Sequence, residues 1–353
     1  METVTKKAMK GGEFLIKETL ASQIFIPEEW NEEQKMIAQS CHDFLATEVW
    51  PILDRIDAQE EGLMVSLMNK AADLGLLGLN VPESLEGFEK DFVTGMLATE
   101  TLGAGYSFAV AFAAHTGIGT QPILYYGNDE QKKKYIPKLA TGEWKGAYCL
   151  TEPNAGSDAN SGKTSAKLSA DGTHYLLNGQ KMWITNAGFA DVFTVFAKID
   201  NDDNLSAFIV EKDFGGITLN PEEHKLGIKG SSTRQVFFND CKVPIENLLS
   251  ERGNGFKIAV NILNMGRVKL AAAALGAAKA TASKTIQYAN ERNQFGRPIA
   301  KYGAIRHKLA EQAMRIYACE SALYRVTQNI EDAINDFEAG GMPHEKAILK
   351  GVE

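Results

Sequence analysis

The chain has 353 residues, 44% of them hydrophobic and 23% charged, which is enough for two or three packed units. Its 37 basic against 45 acidic residues leave a net charge of −8, which argues against a nucleic-acid surface and gives no long-range pull on an anionic ligand. Four scattered cysteines, Cys41, Cys149, Cys241 and Cys319, fit neither a disulfide framework nor a paired-ligand zinc site, so no metal is expected and a reducing compartment is.

The first residues carry no apolar stretch of signal-peptide length and no run reaches membrane-spanning length, so a soluble, cytoplasmic protein is expected. From Asn31 to Val49, apolar residues at Ile37, Cys41, Phe44, Leu45 and Val49 recur at helical spacing behind a capping Asn and stop before Pro51. Leu63, Leu67, Ala71 and Leu74 predict a second helical face before Gly75, and Asp129 is expected to cap a helix over 131–139 despite Pro137. The helical pattern ends near Thr141.

Beyond Gly142 the period changes to two. Lys163–Leu168 and His174–Leu177 flank Asp171-Gly172, a hairpin dipeptide. The runs Asp191–Ile199, Leu205–Glu211 and Arg234–Asp240 are rich in β-branched and aromatic residues and read as strands. Strands grouped together rather than alternating with helices predict an antiparallel barrel or sandwich. From Gly255 to Phe337 the helical period returns, with Ala271–Ala274, Ala277, Ala278 and Ala280 forming a small-residue face that admits a close helix neighbour. The expected class is therefore α+β and multidomain: an N-terminal helical domain over 1–141, a central antiparallel β-barrel or sandwich over 142–253, and a C-terminal helical bundle over 254–353. Because a new apolar pattern starts at 345–349, the bundle is expected to be incomplete.

Three segments carry candidate chemistry. Tyr148–Asp158, YCLTEPNAGSD, offers hydroxyls, small residues and exposed backbone N–H groups to a planar polar ligand or a phosphate, while its composition alone favours a surface turn. In Asn178–Ala187, NGQKMWITNA, strand alternation puts Trp183 and Thr185 on one face about Ile184, so that an indole and a hydroxyl could meet one aromatic ligand; a core Trp fits the same pattern. Glu291–Pro298, ERNQFGRP, follows the Ala-rich helix and presents Arg292, Gln294 and Phe295, suited to phosphate, hydrogen-bond and stacking contacts or to an ordinary solvated helix end.

Taken together and in this order, the three segments resemble the acyl-CoA dehydrogenase family along essentially the whole chain. The resemblance implies an FAD cofactor held by Tyr148, Leu150, Thr151, Ser157, Trp183, Ile184 and Thr185, with Arg292, Gln294 and Phe295 reaching the FAD of a neighbouring subunit. Ser157, Asn264 and Arg267 are implied to contact an acyl-CoA substrate, Asn264 and Arg267 through the NILNMGR stretch. The implied reaction removes the α proton of an acyl thioester to a carboxylate while the β hydrogen leaves as hydride to the flavin, giving a trans-2-enoyl-CoA, with electrons passed to an electron-transfer flavoprotein.

One of the family's two positions for the base is occupied here by Gly266, and the other, an EGT motif, does not occur, so the catalytic Glu is expected C-terminal to Glu353. Glu100, Glu291 and Glu320 are expected in surface or helix-pair roles. The KGGEF segment (Lys10–Phe14) and Tyr302-Gly303 resemble the very-long-chain branch. A homodimer or homotetramer is implied, and the competing readings are an acyl-CoA oxidase and a catalytically silent binding or assembly protein of the same fold.

Overall fold

The computed structural model describes residues 9, 13, 16–20 and 24–353; of the KGGEF segment only Glu13 is among them, and the rest lies outside the described residues. The chain divides into two compact units, one of Met1–Thr47, Asp91–Ala109 and Val268–Val352, the other of Glu48–Lys90, Val110–Arg267 and Glu353. In chain order the helices are α1 (Glu32–Phe44), α2 (Leu53–Asp57), α3 (Leu63–Asp73), α4 (Phe92–Gly103), α5 (Ser107–Ala114), α6 (Gln121–Tyr126) and α7 (Asp129–Ala140). Strands β1 (Gly146–Cys149), β2 (Ser165–Leu168), β3 (His174–Thr185), β4 (Val192–Ile199), β5 (Ser206–Glu211), β6 (Ile217–Leu219), β7 (Thr233–Pro244) and β8 (Leu248–Leu249) follow. Helix α8 (Gly255–Glu291), a short ribbon of β9 (Asn293–Gln294) and β10 (Arg297–Pro298), α9 (Gly303–Ala339) and α10 (His344–Val352) complete the order.

The helix starts follow capping chemistry. Asn31 accepts from the Gln34 N–H while the Gln34 side chain accepts from the Asn31 N–H, a reciprocal capping box. The cap of α7 is Asn128 rather than Asp129, because the same Asn-x-x-Gln reciprocity exists one residue earlier, with Gln131. On α3, Leu67 and Ala71 are buried as the spacing predicts, but the helix ends at Asp73 and Leu74 is left exposed.

The second unit is organised around a mixed sheet in the order β6-β7-β3-β2-β4-β5-β8, with β1 beside β4. The hairpin at Asp171-Gly172 forms as predicted, pairing β2 and β3 with Leu168 opposite Tyr175 and Gly172 at φ +70. The sheet is not closed into a barrel, since β6 and β8 end it unpaired with each other; it is the sandwich alternative, and two of its pairings, β1 with β4 and β2 with β4, are parallel. Strands β1, β4 and β5 face two cores at once. Ala147, Cys149, Phe193, Val195, Ala197, Phe208 and Val210 pack into the core between the sheet layers. Tyr148, Leu150, Val192, Phe196, Ala207 and Ile209 pack against Ile123, Tyr135, Ile136 and Leu139 of α6 and α7 and Ile258, Ala259 and Ile262 of α8. Period-two alternation between two apolar faces is why the β4 run reads as continuously hydrophobic.

In the first unit, glycines bring helices close, whereas of the predicted Ala-rich face only Ala272 is buried. A Cβ on Gly103 would lie 2.2 Å from the Ala273 carbonyl oxygen, and one on Gly276 would lie 1.7 Å from that of Glu100. Helix α4 is almost wholly buried, and Leu97, Ala272, Leu275, Leu323 and Tyr324 share its core. At this seam the Lys279 ammonium meets Glu100 at 2.5 Å and also Glu320, while the Tyr324 hydroxyl donates to Glu100.

Two expectations are corrected here. The apolar pattern at 345–349 is a formed helix, α10, whose Ala347 and Ile348 are buried and whose Gly351 closely approaches Ile334, so its apolar face is satisfied inside the unit rather than left unpartnered. By length and composition, α8 is long and apolar enough to cross a membrane, contrary to the reading of the chain as lacking any such run. It nevertheless places Ile258, Ile262, Ala272 and Leu275 in protein cores.

Candidate functional site

Strand β1 delivers the first candidate segment from the interior outward. The side chains of Tyr148 and Leu150 are buried: Tyr148 packs edge-on to Phe196 at 4.9 Å, and its hydroxyl donates to the Ala259 carbonyl at 3.4 Å. Burial pushes the Tyr148 phenol well above its ordinary value, so it stays neutral. The loop then turns outward through half-buried Thr151 to exposed Asn154, Gly156 and Ser157, pinched by a pair of backbone hydrogen bonds between Glu152 and Ala155 at 3.1 Å. A Cβ on Gly156 would meet nothing within 4 Å, so no packing among the described residues demands glycine there.

The second segment is bonded to the first. Met182 N–H donates to the Thr151 carbonyl at 2.9 Å, and the Lys181 ammonium donates to the Leu150 carbonyl at 3.1 Å and to Glu152 Oε1 at 2.7 Å. Glu152 also accepts from the N–H groups of Lys163 at 2.6 Å and Thr164 at 3.0 Å. Burial pushes the Glu152 carboxyl up, but Lys181, Thr164 and the Lys163 N–H together outweigh it and hold the group below its ordinary range. Burial lowers the Lys181 ammonium, and Glu152 opposes that.

Trp183 and Thr185 do not sit on a regular strand. Lys181 pairs with Val236 and Ile184 with Arg234, so β3 carries one more residue than β7 in this interval, a β-bulge. Lys181 and Ile184, three apart, are both buried, while Trp183 is 54% exposed at φ +61, a backbone conformation costly for a bulky residue. Thr185 is half-buried beside it. The alternation argument leaves the face of Trp183 open and misses the bulge that aims it outward; a core Trp is not what forms.

Asn264 and Arg267 lie one turn apart on α8, and the Arg267 guanidinium donates to Asn264 Oδ1 at 2.5 Å. In the first unit, Arg292, Gln294 and Phe295 lie at and just beyond the end of α8, the last two in a two-residue-loop hairpin in which Phe295 (φ +52) and Gly296 (φ +79) are both left-handed, as a primed turn requires. Tyr302 braces it, donating to the Gln294 carbonyl at 2.8 Å and stacking under Arg297 at 4.3 Å. Phe295 is 93% exposed at the tip.

A cleft of 370 Å³ in the second unit shares none of these residues; it is lined by 59–65 together with Phe189, Glu222, Ser232 and Arg234. Among the described residues no group of three or more His, Cys, Asp or Glu could hold a metal ion. Sequence reasoning missed Lys181, although a signal was available: it falls on the same parity of β3 as buried Tyr175 and Leu177, and a lysine on a core face needs an acidic partner.

Three family models match the chain: "Acyl-CoA dehydrogenase, N-terminal domain" over 31–143, "middle domain" over 147–241 and "C-terminal domain" over 253–350. A C-terminal domain is thus present, against the expectation of a truncated one, and the expectation of a catalytic Glu beyond Glu353, which rested on Gly266 and the missing EGT motif, is not borne out. The chain is 46% identical over 352 residues to a probable acyl-CoA dehydrogenase of Bacillus subtilis, covering 99% of this chain and 59% of that one. It is 44% identical over 279 residues to the human mitochondrial very long-chain specific acyl-CoA dehydrogenase, covering 75% of this chain and 42% of that one. A solved structure of an acyl-CoA dehydrogenase complexed with FAD from Bacillus anthracis superposes with a TM-score of 0.94 at 48% identity, over 98% of this chain and 59% of that one.

Proposed function

We propose, from the premise that this chain belongs to the acyl-CoA dehydrogenase family, that it is an FAD-dependent acyl-CoA dehydrogenase converting a fatty acyl-CoA to the trans-2-enoyl-CoA. The observation that carries the reading is Trp183, held exposed at a strained bulge that is hydrogen-bonded to the 150–158 loop. A flat aromatic platform beside a loop with small residues and open space at Gly156 fits a planar heterocycle. When bound, the flavin supplies the hydride acceptor.

The chain's own residues then bind and orient. Trp183, Ile184 and Thr185 form one wall of the cofactor site, and the strand end at Tyr148, Leu150, Thr151 and Ser157 forms the other. Arg292, Gln294 and Phe295 on the exposed hairpin are assigned to the cofactor of a second subunit in a homodimer or homotetramer, which their exposure supports. Ser157, Asn264 and Arg267 are assigned to the acyl-CoA, Arg267 supplying locally the positive charge that a chain of net charge −8 lacks at long range. Glu100 and Glu320 are accounted for by Lys279 and belong to helix packing. The likeness to a very long-chain enzyme supports a long acyl chain, and the family supports an electron-transfer flavoprotein as acceptor and a bacterial cytoplasmic setting. The division into domains over 1–141, 142–253 and 254–353 is kept as part of this reading, supported by matched segments over 31–143, 147–241 and 253–350.

Anaerobic visible spectroscopy tests the reading. The purified protein is expected to carry a flavin spectrum, and its bleaching by palmitoyl-CoA would require a carboxylate in the same protein to take the α proton as the hydride reaches the flavin. A bound flavin that no long-chain acyl-CoA bleaches would favour the catalytically silent alternative, and rapid reoxidation of the bleached flavin by oxygen would favour the oxidase.

A further inference from the structure

The Lys181 ammonium joins two pieces of chain that are otherwise separate in sequence. It is fully buried, bonds the Leu150 carbonyl at 3.1 Å and Glu152 Oε1 at 2.7 Å, and stands two residues before Trp183. Glu152 carries the connection onward to the Lys163 and Thr164 N–H groups, and space around it is tight: a Cβ on Gly162 would lie 2.9 Å from Glu152 Oε1. Met182 N–H adds a second tie to the Thr151 carbonyl. On the far side of the bulge, Ile184 is back in register with Arg234 of β7. Trp183 is therefore the one residue between a tied pair and a re-registered strand, and its left-handed φ of +61 is where the extra residue is absorbed.

A buried ion pair is weak evidence of a stability role, because an apolar pair of similar volume serves packing as well or better. What an apolar pair cannot do is bond a particular carbonyl. We infer that Lys181 is a positioning residue, a latch that holds the 150–158 loop and the Trp183 bulge as a single element and so sets the orientation of the indole toward the cofactor site. The inference deepens the flavin reading above and rests on it for its ligand.

The test uses the protein labelled with fluorotryptophan. The chain has four tryptophans, so fluorine NMR gives four resonances, and Trp183→Phe assigns the one that matters. In Lys181→Met the Trp183 resonance is expected to shift and broaden while the other three hold, and FAD titration is expected to show affinity weakened by about tenfold or more. Glu152→Gln, which keeps an acceptor for the loop N–H groups, is expected to move the same resonance by less, and it carries the test alone if Lys181→Met does not fold. A lowered melting temperature with the Trp183 resonance unmoved and FAD affinity unchanged would overturn the latch and leave only a structural ion pair. If the wild-type protein binds no FAD but the resonance still moves in the variant, the latch stands and the flavin reading fails, so the two failures are told apart.

Discussion

Each unit holds a lysine-carboxylate cluster, buried in the second and half-buried in the first, and the clusters are built differently. In the second unit Lys181 and Glu152 balance charge for charge and spend their remaining hydrogen bonds on main chain, at Leu150, Lys163 and Thr164. In the first unit Lys279 serves two carboxylates, Glu100 and Glu320, and the remaining partner is a side chain, the Tyr324 hydroxyl. Regular helices satisfy their own backbone, so a cluster between them has only side chains to join and can fix no more than their packing. An irregular loop has free carbonyls and N–H groups, and a cluster beside it dictates the path of the chain. The same chemistry thus orders a site in one unit and a helix seam in the other.

Removing Lys181 should separate these roles most sharply. Lys181→Met leaves Glu152 buried without its cation and is expected to lower unfolding free energy by about 3–5 kcal/mol, read by urea titration, with FAD affinity falling alongside. Glu100→Leu is expected to cost about 2–3 kcal/mol by the same titration while leaving FAD affinity within twofold, since the seam has no part in the loop. Equal losses of FAD affinity in both variants would erase the distinction.

A pH-dependent effect is expected at Lys269, which burial pushes from 10.5 down to about 8. An unfolded chain binds more protons there than the folded one between these values, so stability should rise with pH across that window. Lys269→Met should remove the rise, followed by thermal unfolding at several pH values. Glu152, also lowered, gives a slope of the same sign in the acid range: its carboxylate stabilises the fold fully above 4.5 and loses that contribution as pH falls through its folded value, so Glu152→Gln should flatten the acid side of the stability profile. The smallest change, about 1 kcal/mol, is expected on losing the α7 cap in Asn128→Ala, and calorimetry should show it without any change in the Trp183 signal.

Much of this arrangement is legible in the residues because it depends on local chemistry. The Asn31 cap and the Asp171-Gly172 hairpin follow from spacing and side-chain type. What escapes is non-local. Whether a sheet closes depends on its end strands, here β6 and β8, finding each other, and nothing in either strand encodes that. The bulge at Trp183 is a count of residues on β3 against those on β7, some fifty positions away, and the role of Lys181 appears only when Glu152 is seen folded back onto it. The α7 cap fell to the neighbouring Asn because a helix boundary is set by reciprocity with Gln131 rather than by residue preference alone.

Strands β1, β4 and β5 wall two cores at once, and this has a kinetic consequence. Neither core can open while the other stays sealed, because the same three backbones line both. Amide hydrogens along Val192–Ile199 should therefore exchange with solvent only through opening of the whole second unit, at a single shared rate, whereas those of the exposed Asn293–Pro298 ribbon should exchange freely. The candidate loop leaves from β1, inside that slow-exchanging block, so its root is anchored in the last part of the unit to unfold while its tip at Ser157 remains open to a ligand.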